Sequence, residues 1–206
     1  MRLEAVCTGQ ATPVAAKSGL TGHRKRPRAG AVAIGRLGLD GDTIVDTDHH
    51  GGPDQAVYLF TAPDRAAWEA RTGAPMPFGA FGENLCIDGL ESAALCIGDR
   101  FAIGEVILEV TSPRIPCATF AAVSGMPAVL RLFIAVARPG AYLRVIRPGV
   151  VRAGDHVRHL PWTGVQVTLA EVFRFSCTSP NDAFLSRVRL VPAHVQLLDR
   201  ARNRVG

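Results

Sequence analysis

The chain has 206 residues, 48% of them hydrophobic, which supports one domain with a sizeable core and excludes a wholly disordered polymer. The formal charge of +5 and the pI near 9.3 favour an anionic partner without naming it. There is no apolar run of transmembrane length, no signal-peptide h-region in "MRLEAVCTGQ", and no C-x-x-C among five widely spaced cysteines, so a cytoplasmic protein with reduced thiols and no membrane partner is expected.

Leu3 to Thr8 reads as a first strand. Residues 9–30, "GQATPVAAKSGLTGHRKRPRAG", lack apolar periodicity and read as a long loop. Ala31 to Ile34 predicts a second strand, and "GRLGLDGDTIVDTDHHGGPDQ" a second long loop; connections of this length are usually functional or disordered. "QAVYLF", Gln55 to Phe60, predicts a buried strand. "TAPDRAAWEART" follows as a helix with Thr61 as N-cap and Trp68 facing the core, broken by Gly73, Pro75 and Pro77. Strands are predicted from Glu83 to Ile87, Arg100 to Ile103 and Val106 to Thr111, the last two joined at Gly104-Glu105. Thr119 to Val123 and Ala128 to Ala137 read as helices, and "GAYLRVIRPGVVRAGDHVRHL" returns to strands. Past Thr163 three short helical stretches fit: "TLAEVFRF", "PNDAFLSRV" and "PAHVQLLDRAR". The pattern predicts a mixed β-barrel, mainly β with inserted helices, over residues 1–162, and a small C-terminal three-helix tail over 163–206. So small a tail needs the barrel or a second subunit to dock on, which makes a homodimer one expectation.

"TSPRIPCATF" carries the first chemical signal. An ordinary thiol is only about 3% thiolate at pH 7, and lowering its pKa by about two units makes thiolate the majority form. Arg114 lies three residues before Cys117, and Pro113 and Pro116 stiffen the turn between them. Two readings stand: a strand stop followed by a core cysteine, or a thiol aimed into a cationic pocket. Cys7, Cys86, Cys96 and Cys177 read as buried core.

"HRKRPR" sets Arg24, Lys25, Arg26 and Arg28 close together, as a solvated basic loop or as a phosphate clamp. Charge-assisted bonds of roughly 1.5–3 kcal/mol each would hold a phosphorylated ligand. Nucleic acid is not expected, because no aromatics interleave with the basic residues. In "DTDHHGGPDQ", Asp46 and Asp48 lack calcium-loop spacing, Gly51-Gly52 permits close backbone approach to a ligand, and His50 is a loop-stabilising hydrogen bonder or a catalyst. Glu83 and Asn84 in "FGENL" hold turn backbone or read a ligand edge; His156 and His159 read as a solvated strand face.

Taken in order, "TGHRKRP", "GLDGD", "HHGGPDQAVYLF", "FGENLCIDGL" and "PRIPC" resemble the MOSC domain, named for the C-terminal part of molybdenum-cofactor sulfurases, in its stand-alone, YiiM-like form. The resemblance spans roughly Thr21 to Cys117, and the helical tail matches that form's small appendage. It implies a barrel that binds the molybdenum cofactor, a molybdopterin; pyridoxal phosphate is not expected. It places the metal ligand at Cys117, catalytic roles at Cys117, Lys25 and His50, and cofactor contacts at Cys117, Lys25, Arg26, Arg114, His50, Gly51 and Asn84. It also implies an oxidoreductase that reduces small N-hydroxylated compounds such as hydroxylamino purines. No flavin or nicotinamide fingerprint and no iron–sulfur cysteine cluster occurs, so electrons would come from a separate reductase. The alternative is a non-catalytic carrier of the cofactor, or of sulfur on Cys117.

Overall fold

The computed structural model describes residues 1–16, 18–47 and 49–203. Its strands begin with β1 (Leu3–Thr8), whose apolar side chains are buried. Four short pieces follow inside or beside the long loops: β2 (Thr12–Pro13), β3 (Leu20–Thr21), β4 (Arg26–Pro27) and, after β5 (Val32–Gly35), β6 (Gly38–Leu39). These two-residue ladders carry no apolar period, which is why the sequence reads there as loop. The buried run forms β7 (Val57–Thr61), and α1 (Ala62–Thr72) crosses over to the parallel strand β8 (Leu85–Ile87). Thr61 caps α1 as expected, its hydroxyl accepting from the Asp64 N–H at 3.2 Å, and Gly73 ends the helix in the left-handed region.

The hairpin β9 (Arg100–Ile103) and β10 (Val106–Pro113) leads into α2 (Ala118–Ser124) and α3 (Val129–Val136). Strands β11 (Ala141–Arg147), β12 (Gly149–Val151) and β13 (Val157–Leu160) follow, and then α4 (Leu169–Cys177), α5 (Asp182–Val188) and α6 (Val195–Asn203). The main sheet has eight strands in the order β13-β9-β10-β11-β7-β8-β1-β4, antiparallel except for β7 and β8.

The closed barrel expected from the sequence is not found. The sheet curls until Arg2 bridges His156, beside Leu3 N–H to Asp155 O and Val157 N–H to Met1 O, both 2.9 Å. Only the start of β13 reaches β1, so one bridge stands where a continuous ladder would be needed. The fold is a curled, mainly β mixed sheet with six helices among the described residues.

The tail helices share the sheet's core: Leu169, Val172, Leu185, Val188 and Ala201 pack in one cluster with Leu108, Val110 and Leu143. A capping box at Thr168 and Glu171 starts α4. A second, aromatic cluster fills the other side, with Phe60 stacked on Phe81 at 4.3 Å and Trp68 and Phe133 beside them. Cys7, Cys86 and Cys96 are buried, but Cys177 is exposed, because it ends α4 beyond that helix's packed face. His159 is not a free surface group either; its Nε2 meets Asp99 at 3.0 Å. No single helix among the described residues is long and apolar enough to cross a membrane.

Asp64 carries a pH-dependent cost. Burial pushes its carboxyl up from 3.8 to about 6, against the opposing pull of the Ser92 N–H at 3.2 Å. Its neutral form is favoured in the fold, so its contribution is complete below about pH 4 and lost as pH rises through 6. The loss is at most about 3 kcal/mol. Chemical denaturation at pH 4.5 and pH 8 is expected to show a smaller fall in stability for Asp64→Asn than for wild type.

Candidate active site

Pro113 is the last residue of β10 to pair with β11, and the chain leaves the sheet there. Arg114 turns inward and is only 4% exposed. Its Nη1 donates to Phe81 O at 2.7 Å, and its guanidinium lies over the rings of Tyr58 and Phe120, 5.1 and 5.4 Å from their centroids. Its Nη2 lies 3.0 Å from His23 Nε2. Arginine only donates, so His23 Nε2 accepts and the ring proton sits on Nδ1. Burial, then Arg114 and Lys25, lower the His23 pKa far below its ordinary value, in keeping with a neutral ring. Gly82 of "FGENL" makes room for that ring: a Cβ there would lie 2.9 Å from it, at a φ of +73°.

Cys117 occupies the N-cap position of α2 with extended backbone. Burial raises its thiol pKa, but the His50 side chain, the Arg114 charge and the Phe120 N–H together outweigh burial and hold it down to about 6. At pH 7 the sulfur is therefore roughly nine-tenths thiolate.

Lys25 and Asp42 form a second, nearly water-free ion pair, with side chains 8% and 5% exposed. Asp42 also accepts from the Gly9 N–H and from Asn84 Nδ2, both at 2.8 Å, and Asn84 Oδ1 accepts from the Tyr58 N–H at 3.0 Å. Burial lowers the Lys25 pKa, and Asp42 partly restores it.

These groups surround a cavity of about 100 Å³. Lys25, His50, Gly51, Asn84, Arg114 and Cys117 all line it, so the structure brings together sequence-predicted residues from four separate stretches. Arg26 stands apart: Arg24 and Arg26 are exposed while Lys25 between them faces in, and Arg24 is tied to Pro13 O at 2.8 Å. The sequence did not single out His23, Asp42, Gln55, Tyr58 or Tyr142, which also line the cavity. Only the Gly-Asp turn at Asp42 and the Gln that closes "HGGPDQ" carried any local signal. His49 is exposed and meets Asp46 at 3.1 Å; Asp48 lies outside the described residues. Among the described residues no three His, Cys, Asp or Glu side chains converge on a metal position.

The MOSC domain model matches residues 46–158, a span that holds His50, Asn84, Arg114 and Cys117 but neither Lys25 nor the tail. The uncharacterized protein YflK of Bacillus subtilis is 36% identical over 140 residues, 68% of this chain and 63% of that protein. Protein YiiM of Escherichia coli is 34% identical over 131 residues, 60% of this chain and 57% of its own length. A protein of Gibberella moniliformis named reductase is 32% identical over 138 residues, 65% of this chain and 24% of that one. The matches thus span less than two thirds of each of these relatives. The crystal structure of YiiM from Geobacillus stearothermophilus superposes with a TM-score of 0.82 at 24% identity, over 100% of this chain and 99% of that one. YiiM from Escherichia coli gives 0.77 at 24% identity, over 99% and 92%.

The thiolate is open to a direct test. In a Cys177→Ser background, which removes the exposed thiol, iodoacetamide labelling of Cys117 followed by mass spectrometry is expected to reach half its maximal rate near pH 6. His50→Gln should move that midpoint upward, because it removes a group that stabilises the anion.

Proposed function

The chain belongs to the MOSC domain family, and from that premise we propose a molybdenum-cofactor-dependent oxidoreductase that reduces N-hydroxylated compounds with electrons from a separate reductase. The observation that carries this reading is Cys117, a thiol with a pKa near 6 in a cavity whose wall also holds Lys25, His50 and Arg114. The residues present fit the cofactor. One soft thiolate without a converging ligand cluster suits a metal that brings its own sulfur ligands. Two buried donors in the wall, Arg114 Nε and His23 Nδ1, have no hydrogen-bond partner among the described residues, which suits an anionic pterin.

When bound, the cofactor supplies a metal centre that accepts two electrons from the reductase and delivers them to the substrate nitrogen. The chain's own residues do the rest. Cys117 would hold the metal through its sulfur, with the His50 side chain and the Arg114 charge favouring the anionic form. His50 and Lys25 are the wall groups able to supply protons. Overall R–NH–OH, two electrons and two protons give R–NH₂ and water: the N–O bond breaks, an N–H bond forms, and the hydroxyl leaves protonated. Burial lowers the Lys25 pKa and Asp42 opposes that shift, which favours the charged amine.

The same reactive sulfur also suits a carrier that holds sulfur or the cofactor for another protein. Cofactor transfer without turnover separates that second reading from the first.

Cys117→Ser is expected to lose most bound molybdenum and to lower turnover about 100-fold or more, read by metal and pterin analysis beside a reductase-coupled assay on an N-hydroxylated base. His50→Gln and Lys25→Met should each lose roughly 10- to 100-fold in turnover. Arg26→Ala should change it less than about twofold, since that side chain faces solvent. Full molybdenum retention by Cys117→Ala would end the metal-ligand assignment.

A further inference from the structure

A second chamber of about 280 Å³ adjoins the cavity of Cys117 and shares His50, Gln55 and Tyr142 with it. Ile115, Val172 and Leu197 give it an apolar stretch of wall, and Gln55, His194, Gln196 and Arg200 line it with polar groups. Such a space suits the body of a small aromatic molecule held by a few directed polar groups.

The hydrogen bonds of His194 fix the orientation of Gln55. His194 directly precedes α6, and its Nδ1 accepts from the Gln196 N–H at 3.1 Å. A backbone N–H can only donate, so Nδ1 carries no proton, and the neutral ring carries it on Nε2. Burial lowers the His194 pKa, which favours that neutral form. Nε2–H then faces the amide end of Gln55 at 3.1 Å, where a second donor would repel it. Gln55 Oε1, at the amide's other end, is buried without a hydrogen-bond donor among the described residues. Exchanging the amide oxygen and nitrogen, which only the hydrogen-bond network distinguishes, resolves the conflict. His194 Nε2–H donates to Gln55 Oε1, and the Gln55 NH₂ takes the amide's other end, on a side chain that lines both cavities.

We propose that His194 and Gln55 form a substrate-recognition pair: His194 is a positioning residue, and the Gln55 NH₂ donates to an acceptor nitrogen in the ring of a heteroaromatic N-hydroxylated substrate. The substrate's identity rests on the function proposed above, whereas the orientation of the pair does not. The tail takes part in the site through this contact. Val195 N–H donates to Asp54 Oδ2 at 2.9 Å and His194 N–H to Thr111 O at 3.0 Å, which ties the tail to both sides of the cavity.

The test uses oxidised, cofactor-loaded protein. In protein labelled with ¹⁵N-histidine, and with His194 assigned through His194→Gln, NMR should report the Nε2–H tautomer; an Nδ1–H tautomer or an imidazolium overturns the pair. Calorimetry then compares 6-hydroxylaminopurine with N-phenylhydroxylamine, which lacks ring nitrogens. Gln55→Leu should weaken the purine about 10-fold or more and the phenyl compound less than about twofold. Equal weakening of both, or of neither, overturns the proposal. His194→Gln should raise KM for the purine without a matching fall in kcat. Purine binding that depends on Gln55 in an enzyme that reduces neither compound would leave the pair standing and remove the reductase reading.

Discussion

A guanidinium held almost entirely out of water, that of Arg114, sets the terms for the rest of this molecule. Burying a charge costs several kcal/mol unless partners replace its hydration. Here the replacements come from four separate parts of the chain. They are the Phe81 carbonyl, the lone pair of His23, the ring faces of Tyr58 and Phe120, and the sulfur of Cys117. Each partner constrains the segment that carries it. "FGENL" must offer a carbonyl, the basic loop a neutral histidine, and α2 must begin where its first turn can also support the sulfur. The stabilisation is mutual: after the His50 side chain, the Arg114 charge is the next largest influence that lowers the pKa of this half-buried cysteine.

The Lys25–Asp42 pair does the same for the long loops. Chain segments with little apolar content still pack tightly where glycines let backbones touch. A Cβ at Gly22 would lie 1.8 Å from Thr43 O, and one at Gly79 would lie 2.1 Å from Lys25 O. Asp42 then joins the two loops to β8 by way of Gly9, Lys25 and Asn84. The cavity wall therefore sets Lys25 and Arg114 against Asp42, Asp46 and the Cys117 sulfur, and carries no excess of positive charge. The chain's excess positive charge is carried elsewhere, on side chains such as Arg24, Arg26 and Arg28 that face solvent. A net charge of +5 is thus a poor guide to what the cavity binds.

How far the sequence can be read follows from the same physics. β1, β9, β10 and α1 were legible because apolar alternation and caps are local signals. The pieces β2, β3, β4 and β6 were not, since two residues cannot show a period. The single Arg2–His156 bridge depends on pairing across almost the whole main sheet, which no window of sequence records. At the site, Cys117, Arg114, His50 and Asn84 stood out because they sit in dense motifs. His23 sat within the quoted basic run yet was masked by its charged neighbours. Gln55 and His194 are ordinary residues whose meaning arises only when 139 positions of intervening chain bring them together.

That last contact bears on why the tail is folded at all. Helices of seven to nine residues are marginal in water on their own, so α4, α5 and α6 depend on what they cover. They cover apolar side chains of the sheet on one side and complete the second chamber with Val172, His194, Leu197 and Arg200 on the other. A ligand that fills this chamber touches both tail and sheet, and a ligand bound only by the docked arrangement must stabilise docking in proportion to its affinity. If Gln55 and His194 recognise substrate as proposed, substrate binding and tail stability are one linked equilibrium with that pair at the joint.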